Sequence, residues 1–305
     1  MERAVGMLFP GQGSQFVGMG QDYYDAFPEA RDLYREANGA LGFDITALSF
    51  SGDMDELTLT RNAQPAILLH SIVILSVLRA RGIAPAVVAG HSLGEFSALV
   101  AAGFFRPLDA LKIVRRRGEL MYDAGVTRPG TMAAIIGLDE ATVEACVRDA
   151  GSVVVVANYN SPSQFAISGD VEAVEQACAV CKARGAKRAF LLPVSGAFHS
   201  PLMEPAVGDF RAFLADFPTG PLRVDWIANV TGEVVRDPRQ VVDLLARQLS
   251  SPVQWTRSMR SFAQHPMDGV YEVGPGAVLT GLMKRIVDGT DVAALSACDA
   301  LPAVS

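Results

Sequence analysis

The sequence predicts an α/β fold in which helices cover a parallel sheet and a smaller four-stranded unit is inserted. Short apolar runs alternate with helical segments along most of the chain, which is the order of a parallel sheet covered on both faces. The middle of the chain has instead the order β-α-β-β-α-β, typical of a ferredoxin-like unit. We place this small subdomain at residues 128–194 and the large subdomain at residues 1–127 and 195–305.

The large subdomain begins with an apolar run, Arg3–Phe9, that ends at Pro10–Gly13, which predicts a strand and a glycine-rich turn. The wholly apolar run Ala86–Gly90 is typical of a central parallel strand. Further strands are predicted at Leu222–Asn229 and Val270–Val273. Helices are predicted at Ala30–Ala40, Gln64–Arg81, Phe96–Ala102, Pro201–Phe217, Pro238–Leu249 and Val253–Ala263, and from Pro107 and Pro275 onward.

The small subdomain is bracketed by turn-rich segments. Its strands are predicted at Thr131–Gly137, Val153–Ala157, Gln164–Ser168 and Lys187–Leu192. Its helices are predicted at Asp139–Ala150, with Asp139 as the N-cap, and at Asp170–Arg184.

Composition and charge exclude several classes of protein. Hydrophobic residues make up 50% of the 305 residues and charged residues 19%, which excludes a disordered chain. The net charge is −7 and the basic run Arg115–Arg117 is short, so we expect no nucleic-acid partner. Cys178 and Cys181 form a C-x-x-C pair, which we interpret as two core residues on one helix face; we expect no metal and no cofactor.

Neither a secretory signal nor a membrane span is predicted. The first residues, MERAVGMLFPGQGSQ, lack a long apolar region followed by a cleavage site. The most apolar segment, Pro65–Leu78, is interrupted by polar residues and is interpreted as a buried helix too short to span a bilayer. We therefore expect a soluble, cytoplasmic protein without a membrane partner.

The pentapeptide Gly90-His91-Ser92-Leu93-Gly94 matches the pattern G-x-S-x-G. It follows an apolar strand and opens an apolar helix, as a nucleophile elbow does. The helix N-terminus favours the negative charge that develops during attack. A solvated serine in a glycine-rich turn has the same pattern, but this context favours Ser92 as a nucleophile.

Four histidines are candidates for the base that activates Ser92. His70 lies in an apolar helix and is interpreted as a satisfied core residue. His91 is adjacent to Ser92, but adjacent side chains on a tight turn point apart. His265 is interpreted as a surface residue. His199 lies in a loop of small residues after a strand, where α/β folds place catalytic groups, and is favoured. Because no acid between Ser92 and His199 stands out, we predict a Ser–His dyad oriented by a backbone carbonyl or an amide.

Arg117 is the one charged residue in a helical stripe that otherwise contains Ala110, Ile113, Leu120 and Ala124. No acid lies three or four residues away in that stripe, so its guanidinium is suited to a carboxylate from elsewhere. Alternatively the stem packs and the head reaches water. The pattern leaves both readings open.

Six segments resemble the malonyl-CoA:acyl-carrier-protein transacylases, stand-alone members of the acyltransferase family. They are FPGQGSQ (9–15), GHSLGE (90–95), RRRGELM (115–121), AFHSPLM (197–203), PVQW (252–255) and EVGPG (272–276). The resemblance spans nearly the whole chain and implies an α/β-hydrolase-like large subdomain with a ferredoxin-like insertion. It also implies ping-pong transfer of a malonyl group from malonyl-CoA to the phosphopantetheine thiol of an acyl carrier protein, in fatty acid or polyketide biosynthesis. Ser92 would carry the malonyl ester, and His199 would act as base in each half-reaction.

The resemblance assigns further residues. The backbone N–H groups of Gln12 and Leu93 would form the oxyanion hole. Arg117 would hold the malonyl carboxylate, and the backbone carbonyl of Gln248 would orient the histidine. Asn160 would lie near the same pocket.

The resemblance identifies the type of reaction more firmly than it identifies the acyl donor. Phe198 precedes His199, as a bulky residue does in malonyl-selective relatives. Its ring would crowd an α-substituent, and steric rejection of one methyl group is worth about 1–3 kcal/mol. Gly196 stands where histidine or valine is common among relatives. The size of the pocket is therefore open, and a substituted malonyl group remains an alternative donor.

Other functions remain as alternatives. An acyl hydrolase that clears stalled carrier proteins would share Ser92 and His199, but a simple acyl chain has no carboxylate for Arg117. A carrier-protein-binding module without catalysis would not need these three residues. We expect a monomer.

Overall fold

The computed structural model describes residues 3–151 and 153–303, so the first two residues of the N-terminal segment considered above lie outside them. Within the described residues ten strands form two sheets. The strands are β1 (Arg3–Phe9), β2 (Ile83–Gly90), β3 (Thr131–Ile136), β4 (Val154–Ser161), β5 (Gln164–Gly169), β6 (Arg188–Leu191), β7 (Asp225–Ile227), β8 (Val234–Val235), β9 (Val270–Glu272) and β10 (Val292–Ala294).

The described residues also contain thirteen α-helices. They are α1 (Gln21–Ala26), α2 (Pro28–Leu41), α3 (Ile45–Ser51), α4 (Met54–Thr58), α5 (Thr60–Ala80), α6 (Gly94–Ala101), α7 (Pro107–Thr127), α8 (Glu140–Asp149), α9 (Val171–Ala183), α10 (Glu204–Ala215), α11 (Val241–Gln248), α12 (Trp255–Phe262) and α13 (Val278–Ile286). Sequence analysis missed α1, α3 and α4, which have only five to seven residues and so too few turns to show an apolar period.

The larger sheet has six strands in the order β10-β9-β1-β2-β7-β8, and all but β8 pair in parallel. This confirms the predicted parallel sheet, with the two most apolar runs, β1 and β2, at its centre. The strand predicted at Leu222–Asn229 is only three residues long, β7. Its first part leaves the sheet because the Arg223 N–H donates to the Ala102 carbonyl at 2.9 Å.

The smaller sheet has four antiparallel strands in the order β4-β5-β3-β6, with α8 and α9 packed against it. This is the sheet order expected of the ferredoxin-like unit. Asp139 caps α8, because its carboxylate accepts the Thr142 N–H at 2.8 Å. Cys178 and Cys181 lie buried in the core of this sheet beside Cys146, in agreement with their interpretation as core residues. The division of the chain at residues 128 and 194 stays a prediction.

Helix α7 begins at Pro107 as predicted, but two other helices predicted to begin at prolines start with a different geometry. The segments Pro201–Met203 and Pro238–Gln240 are 3₁₀ turns that precede α10 and α11. Both turns are capped by the preceding side chain, that of Ser200 and that of Asp237. The chain therefore enters each helix through a tighter, capped turn.

Helix α5 corrects one expectation. Its 21 residues, Thr60–Ala80, are enough by length and composition to cross a membrane. The shorter apolar segment expected from the sequence, Pro65–Leu78, is too short to do so. It is the one such helix among the described residues, and 83% of its apolar window is buried inside the protein.

The two sheets are joined along β4. The Val253 N–H donates to the Ala157 carbonyl at 2.8 Å, and the Tyr159 N–H donates to the Val253 carbonyl at 3.0 Å. These bonds attach β4 to the segment that leads into α12, so the small sheet forms a wall over the carboxyl ends of β1 and β2.

His70 lies in the core as predicted, but it is not satisfied there. It is fully buried in α5, with its ring centroid 5.7 Å from that of Tyr23 in an edge-on contact. Neither ring nitrogen has a hydrogen-bond partner among the described residues. Burial lowers the pKa of His70 from 6.5 to about 4.

His70 is expected to make the fold sensitive to acid. Because the pKa of His70 is lower in the folded state, the imidazole binds a proton in the unfolded chain at a pH where it stays neutral in the folded chain. The free energy of unfolding therefore falls as the pH drops from about 6.5 toward 4. The loss amounts to roughly 3 kcal/mol at the acid end. Urea unfolding at several pH values should show that the free energy of unfolding decreases less on acidification for His70→Leu than for the unaltered protein. Equal slopes would contradict this assignment.

Candidate active site

A cavity of about 360 Å³ lies at the carboxyl ends of β1 and β2, under the small sheet. Parallel sheets place ligands at this edge. The sequence-predicted residues that line it are Gln12, Ser92, Leu93, Arg117, Asn160, Phe198 and His199. Gln248 is fully buried beside them.

Ser92 occupies a strained turn between β2 and α6. Its φ of 51° lies in the left-handed region, which non-glycine residues rarely adopt. The flanking glycines permit this turn, because a Cβ on Gly90 would lie 1.9 Å from the Gly94 carbonyl carbon. A Cβ on Gly94 would lie 2.0 Å from the Phe9 carbonyl oxygen. The elbow therefore depends on close backbone packing between β1, β2 and α6.

Asn229, which sequence analysis missed, holds this turn in place. Its Nδ2 donates to the Gly90 carbonyl at 2.6 Å, and its Oδ1 accepts the Ser92 N–H at 2.7 Å. Its own backbone N–H donates to Glu95 Oε1 at 2.7 Å. Asn229 is 137 residues from Ser92 in the chain, and its only sequence cue is its position at the end of a predicted strand.

Ser92 and His199 are in direct contact. The Ser92 Oγ lies 2.7 Å from His199 Nε2, and His199 Nδ1 lies 2.8 Å from the Gln248 carbonyl oxygen. A carbonyl can only accept, so Nδ1 carries the ring proton and Nε2 is left to accept the Ser92 hydroxyl proton. The His199 backbone N–H also donates to the Leu249 carbonyl at 3.1 Å.

The backbone at His199 is strained in the same way as at Ser92. Its φ is 58°, and these two are the only non-glycine residues with positive φ in the described part of the chain. Burial, and next the charge of Arg117, lower the pKa of His199 to about 3. The imidazole is therefore neutral near pH 7, the state a general base needs.

Arg117 is buried rather than at the surface, which rules out the interpretation that its head reaches water. The residue is 1% exposed. Its Nη1 donates to Gln64 Oε1 at 2.8 Å, and its Nη2 donates to Gln248 Oε1 at 2.7 Å and Ser92 Oγ at 3.2 Å. Burial lowers the pKa of Arg117 to about 10, so it stays a cation.

No acid neighbours Arg117 along α7, as the sequence indicated, but Glu95 from α6 lies close enough to raise its pKa. Glu95 is 1% exposed and was not singled out in the sequence. Its signal there was a charged residue in an otherwise apolar helix, α6.

A chain of side chains connects Arg117 to Gln12. Gln64 Nε2 donates to Thr60 Oγ1 at 2.9 Å, and Thr60 Oγ1 donates to Gln12 Oε1 at 2.8 Å. Gln64 and Thr60 were also missed. Within the described residues, no hydrogen bond occupies the backbone N–H of Gln12 or of Leu93. Both N–H groups are therefore free to bind a ligand oxygen.

Asn160 extends from β4 into the cavity. Its Oδ1 lies 2.8 Å from His91 Nε2, and the His91 ring packs edge-on against Trp255 with centroids 5.2 Å apart. The ring of His91 thus points away from Ser92, as predicted. The pair ties the elbow to the small sheet across the cavity.

Phe198 is buried and lines the cavity. A Cβ on Gly196 would lie 3.2 Å from the Phe198 ring. Because Gly196 has no side chain, the Phe198 ring can pack directly against its backbone.

His265 is not a surface residue as interpreted from the sequence. Its side chain is 17% exposed, and its Nε2 lies 3.1 Å from Asp225 Oδ2. The physical reason is that β7 brings Asp225 beside the end of α12.

Comparisons with known proteins agree with this site. Residues 7–303 match the model of the acyl transferase domain family. The chain is similar to the malonyl CoA-acyl carrier protein transacylase of Escherichia coli K12, with 46% identity over 97% of each chain. It is 43% identical to the Bacillus subtilis protein of the same name, over 92% of this chain and 90% of the relative.

Solved structures show the same fold. The acyl carrier protein S-malonyltransferase of Vibrio cholerae is 42% identical, with a TM-score of 0.93 over 99% of each chain. A malonyl-transacylase solved in complex with a type II PKS acyl-carrier protein is 40% identical, with a TM-score of 0.93 over 97% of each chain.

Asn229→Ala is expected to weaken both the fold and the elbow. It leaves the Ser92 N–H and the Gly90 carbonyl without partners, at about 1–3 kcal/mol for each buried group. A misplaced Ser92 should then react about 10²-fold more slowly with a serine-directed fluorophosphonate probe. Asn62→Ala removes two side-chain bonds, one donated to the Glu56 carbonyl and one accepted from Arg115 Nη1, and should lose stability but keep the reactivity of Ser92. If Asn229→Ala reacted as fast as Asn62→Ala, the elbow would not depend on Asn229.

Proposed function

The chain belongs to the acyl transferase domain family, and we propose that it transfers a malonyl group from malonyl-CoA to the phosphopantetheine thiol of an acyl carrier protein. The observation that carries this proposal is a buried cation, Arg117, within 3.2 Å of the Ser92 Oγ of a Ser–His pair. A nucleophile next to a buried guanidinium is suited to an acyl group that ends in a carboxylate.

In the first half-reaction Ser92 attacks the thioester carbonyl while its hydroxyl proton moves to His199 Nε2. The tetrahedral oxyanion is received by the free N–H groups of Gln12 and Leu93. When the C–S bond breaks, His199 returns the proton to the CoA sulfur. A malonyl ester on Ser92 and free CoA result, with no net change in protons.

In the second half-reaction the carrier-protein thiol takes the place of CoA. His199 Nε2 removes the thiol proton as the sulfur attacks the ester. The same proton then goes to the Ser92 Oγ as the C–O bond breaks. One base serves both halves because the carrier-protein sulfur enters where the CoA sulfur left, so His199 Nε2 passes its proton between the same two positions in opposite directions.

Among the described residues no acid contacts His199 Nδ1, and the end of α11 takes the place of the acid of a triad. The carbonyl of Gln248, the last residue of this helix, accepts the Nδ1 proton of His199. Carbonyls at a helix C-terminus carry partial negative charge, which stabilises the imidazolium that forms during attack. The helix therefore fixes the tautomer of His199 and partly offsets its charge.

Arg117 favours acyl transfer over simple acyl hydrolysis, since a buried guanidinium binds a carboxylate that ordinary acyl chains lack. Phe198 crowds the position of an α-substituent and favours malonyl over substituted donors. Asn160, at the far wall, is suited to the amide-bearing arm of either thiol substrate. We assign the enzyme to the cytoplasm, and its acceptor to fatty acid or polyketide synthesis.

Ser92→Ala is expected to abolish acylation, because it removes the attacking oxygen. Intact-protein mass spectrometry after incubation with malonyl-CoA should show one malonyl adduct on the unaltered protein and none on the variant. Ser97→Ala, one turn further along α6, should keep the adduct. An adduct that persists on Ser92→Ala would place the nucleophile elsewhere.

Arg117→Ala should invert the donor preference rather than lower all activity. The malonyl carboxylate loses its partner at a cost of roughly 3–5 kcal/mol, so kcat/KM for malonyl-CoA should fall about 150- to 5,000-fold. Acetyl-CoA has no carboxylate and should be affected far less.

Arg116→Ala is the matched control, because Arg116 lies on the same helix with its side chain 40% exposed. It should leave the malonyl-to-acetyl ratio unchanged. An equal loss with both donors in Arg117→Ala would make the arginine structural and would favour the hydrolase alternative.

A further inference from the structure

Glu95 is a buried acid that the mechanism above does not use. It lies in the first turn of α6, three residues after Ser92, and is 1% exposed. Its Oε1 accepts the Asn229 backbone N–H at 2.7 Å, and its Oε2 accepts a hydrogen bond from Gln248 Nε2. Both oxygens therefore face N–H donors, an arrangement that suits a carboxylate. Glu95 does not line the cavity, so it has no contact with a bound acyl group.

The side chain of Gln248 links Glu95 to Arg117. Its Oε1 accepts from Arg117 Nη2 at 2.7 Å, while its Nε2 donates to Glu95 Oε2 and to the Ser92 carbonyl at 2.9 Å. The amide thus turns its oxygen to the cation and its N–H groups to the anion. Cation and anion are held one side chain apart in the interior.

Among the described residues, Arg117 from α7 is the charged group that acts on Glu95. The contacts from other elements are neutral: Asn229 follows β7, and Gln248 ends α11. His199, which shares Gln248 as a partner, is neutral because its pKa is lowered to about 3. Glu95 therefore has one charged neighbour, the cation proposed to bind substrate.

A malonyl group brings a second carboxylate to this cation. Two anions that share one cation in a low-dielectric interior disfavour each other's ionised form. Binding and ionisation are then linked in both directions: an ionised Glu95 weakens malonyl binding, and a bound malonyl group favours protonated Glu95.

Building on the proposed function, we infer that Glu95 is the resident counter-ion of Arg117 and a positioning residue that takes up a proton when the malonyl group binds. In the free enzyme the ionised form of Glu95 is the counter-ion of the guanidinium, and Gln248 binds the guanidinium directly. The incoming carboxylate replaces ionised Glu95 as the counter-ion, and the Glu95 carboxylates that were ionised take up a proton from solvent. Acetyl donors, which have no carboxylate, leave Glu95 unchanged.

Burial raises the pKa of Glu95 to about 8, against the opposing effect of its hydrogen bonds and of Arg117. The exchange therefore falls within an accessible pH range. Between about pH 7 and pH 9 the protonated fraction of such a group drops about tenfold. Acylation by malonyl-CoA should drop with it, relative to acylation by acetyl-CoA.

The test measures the first half-reaction alone, without carrier protein. Rate constants for acylation of Ser92 by malonyl-CoA and by acetyl-CoA are taken from quenched single-turnover mass spectrometry across this pH range. Acetyl-CoA is the internal control, because both donors use the same Ser92, His199 and CoA leaving group. The malonyl-to-acetyl ratio should fall about tenfold in the unaltered protein.

In Glu95→Gln the ratio should be independent of pH, whatever its absolute value. The matched control is Glu175→Gln, which removes an exposed carboxylate on α9 and should retain the tenfold fall. A slope that persists in Glu95→Gln, or a flat ratio in the unaltered protein, overturns the proposal.

Proton uptake gives a second readout that does not depend on the variant being folded. With a pH indicator at about pH 8, malonylation of the unaltered protein should consume about half a proton per ester, and acetylation none. Absence of uptake on malonylation also overturns the proposal. Failure of the proposed function has a different signature, since no malonyl adduct would then form on Ser92 at any pH.

Discussion

A buried guanidinium stays charged only where fixed polar groups replace the water it has lost, and Arg117 imposes this demand on several segments of the chain. Gln64 from α5 and Gln248 from α11 supply amide oxygens to it, and Ser92 lies within reach of its Nη2. Each of these groups is itself fixed by a further partner. The hydrogen bonds of one charge therefore link the positions of Ser92, Gln64 and Gln248.

Gln248 is where these requirements meet. Its side chain contacts Arg117, Glu95 and the Ser92 carbonyl, while its backbone carbonyl accepts the His199 ring proton. A glutamine can do this because its amide offers an acceptor and donors at once. The group proposed to bind a carboxylate, Arg117, and the group proposed to move protons, His199, are thus both held by Gln248.

Backbone strain at Ser92 and at His199 lies on opposite sides of one hydrogen bond. The strain at Ser92 is supported by backbone packing against Gly90 and Gly94 and by the side chain of Asn229. The strain at His199 is supported by two successive carbonyls, those of Gln248 and Leu249. Such conformations persist only where surrounding contacts outweigh their cost. Both halves of the dyad are therefore built before substrate arrives.

The sequence was sufficient to predict the fold class, the ferredoxin-like unit, the elbow around Ser92 and the candidates His199 and Arg117. These follow from local features: apolar periods, glycine spacing, and one charge in an apolar stripe. The short helices α1, α3 and α4 were not predicted, because each has too few residues to show the helical repeat of apolar residues. The folded chain is needed to show that Arg117 is buried and that Asn229, Gln64 and Glu95 lie at the site. It is also needed to show that His70 has no hydrogen-bond partner among the described residues. These residues act through contacts between distant segments, up to 153 positions apart for Gln248 and Glu95. A hydrogen bond across such a distance leaves no periodic trace in one sequence, because folding alone brings its donor and acceptor together.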